Sequence, residues 1–314
     1  MIEADQLFAW RRSQLQRGGR QADFDWLLEF AGGLDWSQLQ RLRLDPRQSV
    51  ALRCRLDAIE ALWQQHLKQA TPLQYLVGIT PWRDFELAVA PGVLIPRQET
   101  ELLIDLVQGL GLVEPAGAAP LLWADLGTGS GCLALALAQL LPTSLGLAVD
   151  SSLEALGQAG ANLERLGLSA RVALRQGSWW QPLQAEWGRL DLVLSNPPYI
   201  PTPVFQELAP VVRDHEPALA LDGGLDGLDA LRAIAAGAPQ ALAPGGWLLL
   251  EHHHDQSAAV QALLAGQGLE AIRPHQDLEG HWRFVSARRP GLLPESSRSI
   301  PPHAQASAAG GGHG

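Results

Sequence analysis

Asp125-Leu126-Gly127-Thr128-Gly129-Ser130-Gly131 is the stretch on which the fold turns. It follows the apolar run Leu121 to Leu126 and opens a helical run from Cys132 to Leu141. It therefore reads as a strand, a tight glycine turn and a helix start. Glycines let a backbone reverse sharply and approach a ligand closely, and free amides at a helix start favour a carboxylate or phosphate.

Position 132 is Cys, so the spacing is G-x-G-x-G rather than the G-x-G-x-x-G of nicotinamide enzymes. That spacing favours S-adenosylmethionine, whose carboxylate would meet the loop amides. Gly127, Thr128, Gly129, Ser130 and Gly131 are the candidate cofactor-binding residues, and Asp125 can also cap the loop from within. Asp150 closes the next apolar run, about 20 residues on, where an acid can accept hydrogen bonds from both ribose hydroxyls.

Downstream, short apolar runs alternate with helical stretches, which predicts a parallel sheet with crossover helices. The candidate strands are Leu121 to Leu126, Leu145 to Val149, Arg171 to Gln176, Leu190 to Ser195 and Trp247 to Glu251, with two more near Leu269 to Pro274 and Trp282 to Ala287. Asn196-Pro197-Pro198-Tyr199 follows the fourth of these, at the edge where open parallel sheets bind ligands. An amide or exocyclic amine nitrogen is a poor nucleophile, because its lone pair is delocalised and it carries two N–H donors. The Asn196 side-chain oxygen and the Pro197 carbonyl can each accept one of those hydrogens and turn the lone pair toward a methyl group. Two prolines hold the loop at fixed φ, and Tyr199 can pack its ring on a planar substrate group. Catalysis of this kind rests on orientation and fixed dipoles.

Upstream, residues 1 to 70 show helical periodicity and are expected to form a small bundle. Leu52, Leu56, Ile59, Trp63 and Leu67 line one helix face, and Asp45 with Pro46 reads as the start of that helix. Residues 71 to 96, with Trp82, Phe85, Leu87 and Val89 among polar positions, read as a hairpin linker. After Arg289 the chain turns to Pro, Ser, Ala and Gly, so residues 290 to 314 are expected to be a disordered tail.

The formal charge of −10 argues against a surface built to track nucleic acid, and no stable nucleic-acid binding is expected. Met1 to Arg12 lacks the apolar stretch of a signal peptide, and no apolar run spans a bilayer, so a cytoplasmic location is expected. Cys54 and Cys132 read as small packing residues. His252, His253 and His254 read as a solvated loop and no metal site is expected. Trp10, Trp26, Trp36 and Trp63 fit a core, whereas Trp179-Trp180 falls at the cofactor edge. Arg97, Glu99 and Glu101 either steady the wall of the site or cap the helix they precede.

Thr71-Pro72-Leu73-Gln74-Tyr75-Leu76-Val77-Gly78 and Val93-Leu94-Ile95-Pro96-Arg97-Gln98-Glu99-Thr100-Glu101 resemble the hairpin and domain-opening motifs of the release factor glutamine methyltransferases, the PrmC/HemK family. The likeness continues through Ser195 to Ile200, His215-Glu216-Pro217, Leu221 to Leu228 and Leu249-Leu250-Glu251-His252, and is strong from Thr71 onward. It implies a Rossmann-like, seven-stranded class I methyltransferase domain over residues 97 to 289. The activity implied is methylation, from S-adenosylmethionine, of the side-chain nitrogen N5 of the glutamine in the Gly-Gly-Gln loop of class 1 peptide chain release factors. The helical domain would contact that partner, Trp179 would lie near the adenine, Asn196 would also border the cofactor, and Asn196 to Tyr199 would hold the glutamine amide. Gln98 and Ser178 depart from the family pattern, the latter where many members carry an acid. The alternative substrate for the same loop is an exocyclic amine of a nucleic-acid base.

Overall fold

The structure, a computed structural model, describes residues 1–112 and 119–291. The expectation for the tail lies almost wholly outside the described residues. Helices Ala4–Leu15, Gln21–Phe30, Trp36–Leu44 and Leu56–Gln69 pack around Leu7, Phe24, Leu27, Leu28, Ile59 and Trp63, all sealed from solvent. Strands β1 (Ile2–Glu3) and β2 (Ser49–Val50) pair antiparallel beneath them. This pairing shifts the expected helix start: Pro46 lies in a turn, where Asp45 Oδ1 accepts from the Arg47 amide, and the helix begins at Leu56. Trp36, 68% exposed, and Cys54, also exposed, are not core residues as anticipated. Trp36 is the first residue of its helix, where Asp35 supplies the capping box, and Cys54 lies in a bend outside the helices.

Strands β3 (Ile79–Trp82) and β4 (Phe85–Ala88) form a hairpin, turning at Arg83, whose φ is +49°. Asn162 pins this hairpin to the glycine loop. Its Oδ1 accepts from the Ala88 amide at 2.9 Å, and its Nδ2 donates to the carbonyls of Ala88 and Ser130 at 3.0 and 2.9 Å.

The remaining strands are β5 (Leu122–Leu126), β6 (Leu145–Asp150), β7 (Val172–Gln176), β8 (Leu190–Ser195), β9 (Leu242–Glu251), β10 (Glu270–Gln276) and β11 (Trp282–Arg288). They build one seven-stranded sheet in the order β10-β11-β9-β8-β5-β6-β7. β11 runs antiparallel to both its neighbours, and the other pairings are parallel. Period-two alternation sends Leu147 and Val149 to one face and Ala148 to the other. Helices Asp229–Ala241 and Ser257–Gly266 cover the first face through Leu231, Ile234, Val260 and Leu264. Helices Leu102–Gly109 and Cys132–Leu140 cover the second through Leu103, Val107, Leu133 and Leu137. The chain winds outward in both directions from the β5/β8 boundary, and the carboxyl edge at such a reversal is where this architecture leaves a crevice.

Candidate active site

Strand register brings the site together. Val149 lies opposite Leu126, Leu126 opposite Ser195, and Ser195 opposite Leu250. The next residue on each strand, namely Asp150, Gly127, Asn196 and Glu251, therefore falls in one row along the carboxyl edge. Above this row opens a cavity of about 1080 Å³. Its lining includes Gly127, Gly129, Asp150, Ser178, Trp179, Asn196 and Pro198, with Gly92 to Leu94 forming one wall and Pro217 to Ala220 the other. Four carboxylates, those of Asp150, Glu154, Asp222 and Asp229, also border it, a charge pattern suited to a cationic ligand.

The glycine loop takes its shape from internal bonds. Gly127, Gly129 and Gly131 hold φ values of +75°, +56° and +84°, where a side chain would be strained. The amides of Gly127 and Thr128 both donate to the Val149 carbonyl, and that of Gly129 donates to Asp150 Oδ2 at 2.9 Å. These amides are thus committed within the fold rather than left for an anion, because the loop must close against β6 before it can turn. Gly127 and Gly129 still meet the cavity through backbone atoms that carry no side chain. Thr128 and Ser130 are buried beneath it, Thr128 donating to Asp125 Oδ2 at 2.7 Å, and Gly131 packs against Ala159. Asp125 is fully buried, and burial pushes its carboxyl up to about 7. It caps the loop from within.

Asp150 accepts from the Gly129 amide on one oxygen and from the Ser152 amide on the other, both at 2.9 Å. Each oxygen retains a second lone pair, and the side chain borders the cavity. Burial raises its carboxyl, a tendency that the amides of Ser152 and Gly129 oppose. Trp179, at φ +51°, brings its ring over Gly127 and gives the cavity an apolar plane. Its neighbour Trp180 is instead core, donating from Nε1 to the Ile234 carbonyl at 3.0 Å.

In the second loop Asn196 and Pro198 line the cavity and Pro197 is buried. Tyr199 is not among the lining residues; its hydroxyl donates to Glu251 Oε1 at 3.0 Å. Asn196 Nδ2 donates to Thr100 Oγ1 at 2.9 Å, and Thr100 Oγ1 donates to Glu251 Oε2 at 2.7 Å.

A family model described as Methyltransferase small domain matches residues 116–208. A release factor glutamine methyltransferase of Prochlorococcus marinus is 48% identical over 289 residues, covering 92% of this chain and 98% of its own. Proteins of the same description from Gloeobacter violaceus and Geobacter sulfurreducens are 46% and 39% identical, over 84% and 89% of this chain and 89% and 94% of theirs. The chain belongs to the release factor glutamine methyltransferase family. Among solved structures, the hMettl16 catalytic domain in complex with MAT2A 3'UTR hairpin 6 superposes with a TM-score of 0.52 at 16% identity, covering 78% of this chain and 85% of that one, a likeness of fold.

Bonds that no local sequence pattern reveals also shape the site. Glu216, 6% exposed, joins the two cavity walls, accepting from the Ile95 amide at 3.1 Å and from Arg97 Nη2 at 2.7 Å. Arg97 therefore steadies the wall, whereas Glu101 accepts from the Arg83 amide and caps no helix. Gln256 Nε2 donates to the Tyr199 carbonyl at 2.9 Å and to the Gly227 carbonyl at 3.2 Å, stapling the second loop to the glycine-rich turn beside it. The histidine run divides: His252 continues β9 and is fully buried, contrary to the expected solvated loop, because its amide extends the pairing to Arg283. Among the described residues no group of three His, Cys, Asp or Glu side chains is arranged to hold a metal ion.

Proposed function

We propose that this family member transfers the methyl group of S-adenosylmethionine to N5 of the glutamine in the Gly-Gly-Gln loop of class 1 peptide chain release factors. The observation that carries the reading is the row Asp150, Gly127, Asn196 across adjacent parallel strands. It sets a ribose acceptor and a close-approach backbone beside an amide acceptor, under one cavity.

The residues fit such a ligand pair. Asp150 offers its remaining lone pairs to the ribose hydroxyls, Trp179 offers an apolar face to the adenine, and the acidic rim favours a cation. S-adenosylmethionine supplies, when bound, a methyl group on a positively charged sulfur. Asn196 Oδ1 and the Pro197 carbonyl hold the two N–H groups of the glutamine amide, so that its lone pair points along the transfer direction. Pro198 closes the cavity beside it, and Tyr199 braces the loop through Glu251. No strong base is required, since the new N–C bond replaces the methyl's bond to sulfur and the nitrogen sheds its proton to water as that bond forms.

The net charge of −10 favours a protein partner over nucleic acid. His215 Nε2 donates to the Gln69 carbonyl at 2.7 Å, which sets the helical N-terminal region beside the Pro217 to Ala220 wall and supports its use in gripping the release factor. We assign the reaction to the cytoplasm, where translation factors work; no described helix is long and apolar enough to cross a membrane. Mass spectrometry of a class 1 release factor incubated with the protein and S-adenosylmethionine, with fragmentation across the Gly-Gly-Gln loop, tests the reading. One added methyl on the glutamine side chain is expected. A methyl elsewhere, or none on a folded substrate with cofactor binding confirmed, overturns it.

A further inference from the structure

An asparagine side chain can face a substrate with either its oxygen or its NH₂, and only the oxygen can accept from a glutamine amide. Asn196 has no backbone neighbour that makes this choice. The choice comes from behind the loop. Glu251, 1% exposed and one residue beyond the register pair Ser195–Leu250, receives the Thr100 hydroxyl on Oε2 and the Tyr199 hydroxyl on Oε1. An ionised carboxylate only accepts, so the Thr100 proton is committed to it and the Thr100 oxygen is left to accept. Thr100, 2% exposed, accepts from Asn196 Nδ2, which turns the other branch of the amide, Oδ1, away from it. Donors and acceptors thus run in one direction, Asn196 to Thr100 to Glu251, and every buried polar atom along the line is used.

We propose that Thr100 and Glu251 are positioning residues that fix the Asn196 amide with its oxygen toward the target nitrogen, while Glu251 anchors the far end of the same loop through Tyr199. The inference rests on the proposed reading of Asn196 as the substrate acceptor. Reversing the line, by replacing the carboxylate with a group that donates toward Thr100, would send the Thr100 proton to Asn196 and present NH₂ to the substrate, donor against donor.

Thr100→Val keeps the shape and removes the hydroxyl; Thr100→Ser keeps the hydroxyl and removes the methyl. Methylation of a release factor is assayed above the pH of about 7 to which burial raises the Glu251 carboxyl, so that the group is ionised. Thr100→Val is expected to lower kcat at least tenfold with the KM for S-adenosylmethionine unchanged, and Thr100→Ser to stay within about threefold of wild type. Glu251→Gln is expected to lower kcat likewise. A Thr100→Val enzyme at the wild-type rate, or a Thr100→Ser enzyme as slow as Thr100→Val, overturns the inference, since packing alone would favour Val over Ser. The Asn196 side-chain amide, followed by ¹⁵N NMR in the full chain without substrate, reads the orientation directly. Its signals should match in wild type and Thr100→Ser and move in Thr100→Val; identical signals in all three overturn the relay. A wild-type enzyme that leaves the glutamine unmethylated, while the Asn196 signals still depend on the Thr100 hydroxyl, overturns the substrate assignment and supports the relay.

Discussion

Two loops meet at the carboxyl edge of the sheet, and they are held in opposite ways. The glycine loop after β5 is braced by what surrounds it in sequence: Thr128 bonds to Asp125, and Gly131 to Thr128, three residues apart in each case. Its more distant partners are β6, the next strand in both sequence and space, and Asn162 on the helix that follows β6, which donates to the Ser130 carbonyl. The Asn196 to Tyr199 loop after β8 is braced by Thr100, Glu251 and Gln256, brought in from three other elements. A loop that closes on itself can offer a fixed surface to a ligand common to many enzymes. One held by remote side chains takes its polarity from them, and can be tuned without changing the residues that touch the substrate.

The difference predicts where single changes fall hardest. Asn196→Ala removes the acceptor for the target nitrogen and leaves the glycine loop untouched. It should cost about 10²- to 10³-fold in kcat, the scale seen when one preorganised hydrogen-bonding group is lost, with calorimetric binding of S-adenosylmethionine nearly unchanged. Rates near wild type would remove Asn196 from the chemistry and collapse the contrast between the loops.

Asp150→Ala strikes the other loop. It deletes an acceptor on the cavity and the brace on the Gly129 amide together. Cofactor affinity should fall about tenfold or more, the worth of a hydrogen bond to a charged group, and kcat at saturating cofactor should fall less. Unchanged binding by calorimetry would show that the loop needs neither.

How much was legible in the sequence follows the same divide. The strand, the glycine turn and Asp150 could be read because their partners lie within one strand–helix–strand unit. Asn196 to Tyr199 could be read because four consecutive residues carry the chemistry. Thr100, Glu216 and Glu251 stand within motifs that carry the family resemblance, but their roles could not be read, since their bonds span 96, 119 and 151 residues. One signal was present: Glu251 ends an apolar strand at the carboxyl edge, as Asp150 does, which sets it in the same row as the residues of the site. The helix start misread at Asp45-Pro46 has the same origin, because the pairing of Ser49–Val50 with Ile2–Glu3 that displaces it is long-range. Trp36, Cys54 and His252 were misjudged since residue type alone does not fix which side of an element faces out.

Gln256→Ala sharpens the contrast by loosening only the second loop. The buried amide bonds to the carbonyls of Tyr199 and Gly227, which would lose their partner. A stability loss of about 2 kcal/mol in urea unfolding is expected, with a larger drop in kcat than in cofactor affinity. Equal losses in both would mean that the two loops move as one unit.

Each loop also buries one carboxyl, Asp125 under the first and Glu251 under the second, and burial raises both to about 7. Unfolded carboxyls titrate near about 4, so between about pH 4 and about pH 7 the folded protein holds protons that the unfolded chain has released. The folded state binds more protons in that window, and its stability therefore declines as pH rises through it, by about 1.4 kcal/mol per pH unit for each carboxyl, or roughly 4 kcal/mol across the window. Asp125→Asn keeps an oxygen for Thr128 and no longer titrates, so urea unfolding at about pH 5 and about pH 8 should show a shallower decline than in wild type. Glu251→Gln should flatten the same window and, unlike Asp125→Asn, slow the second loop's chemistry. If Asp125→Asn followed the wild-type slope, Asp125 would already be ionised across the window, and the glycine loop would have to stabilise a buried charge with the Thr128 hydroxyl as its principal donor.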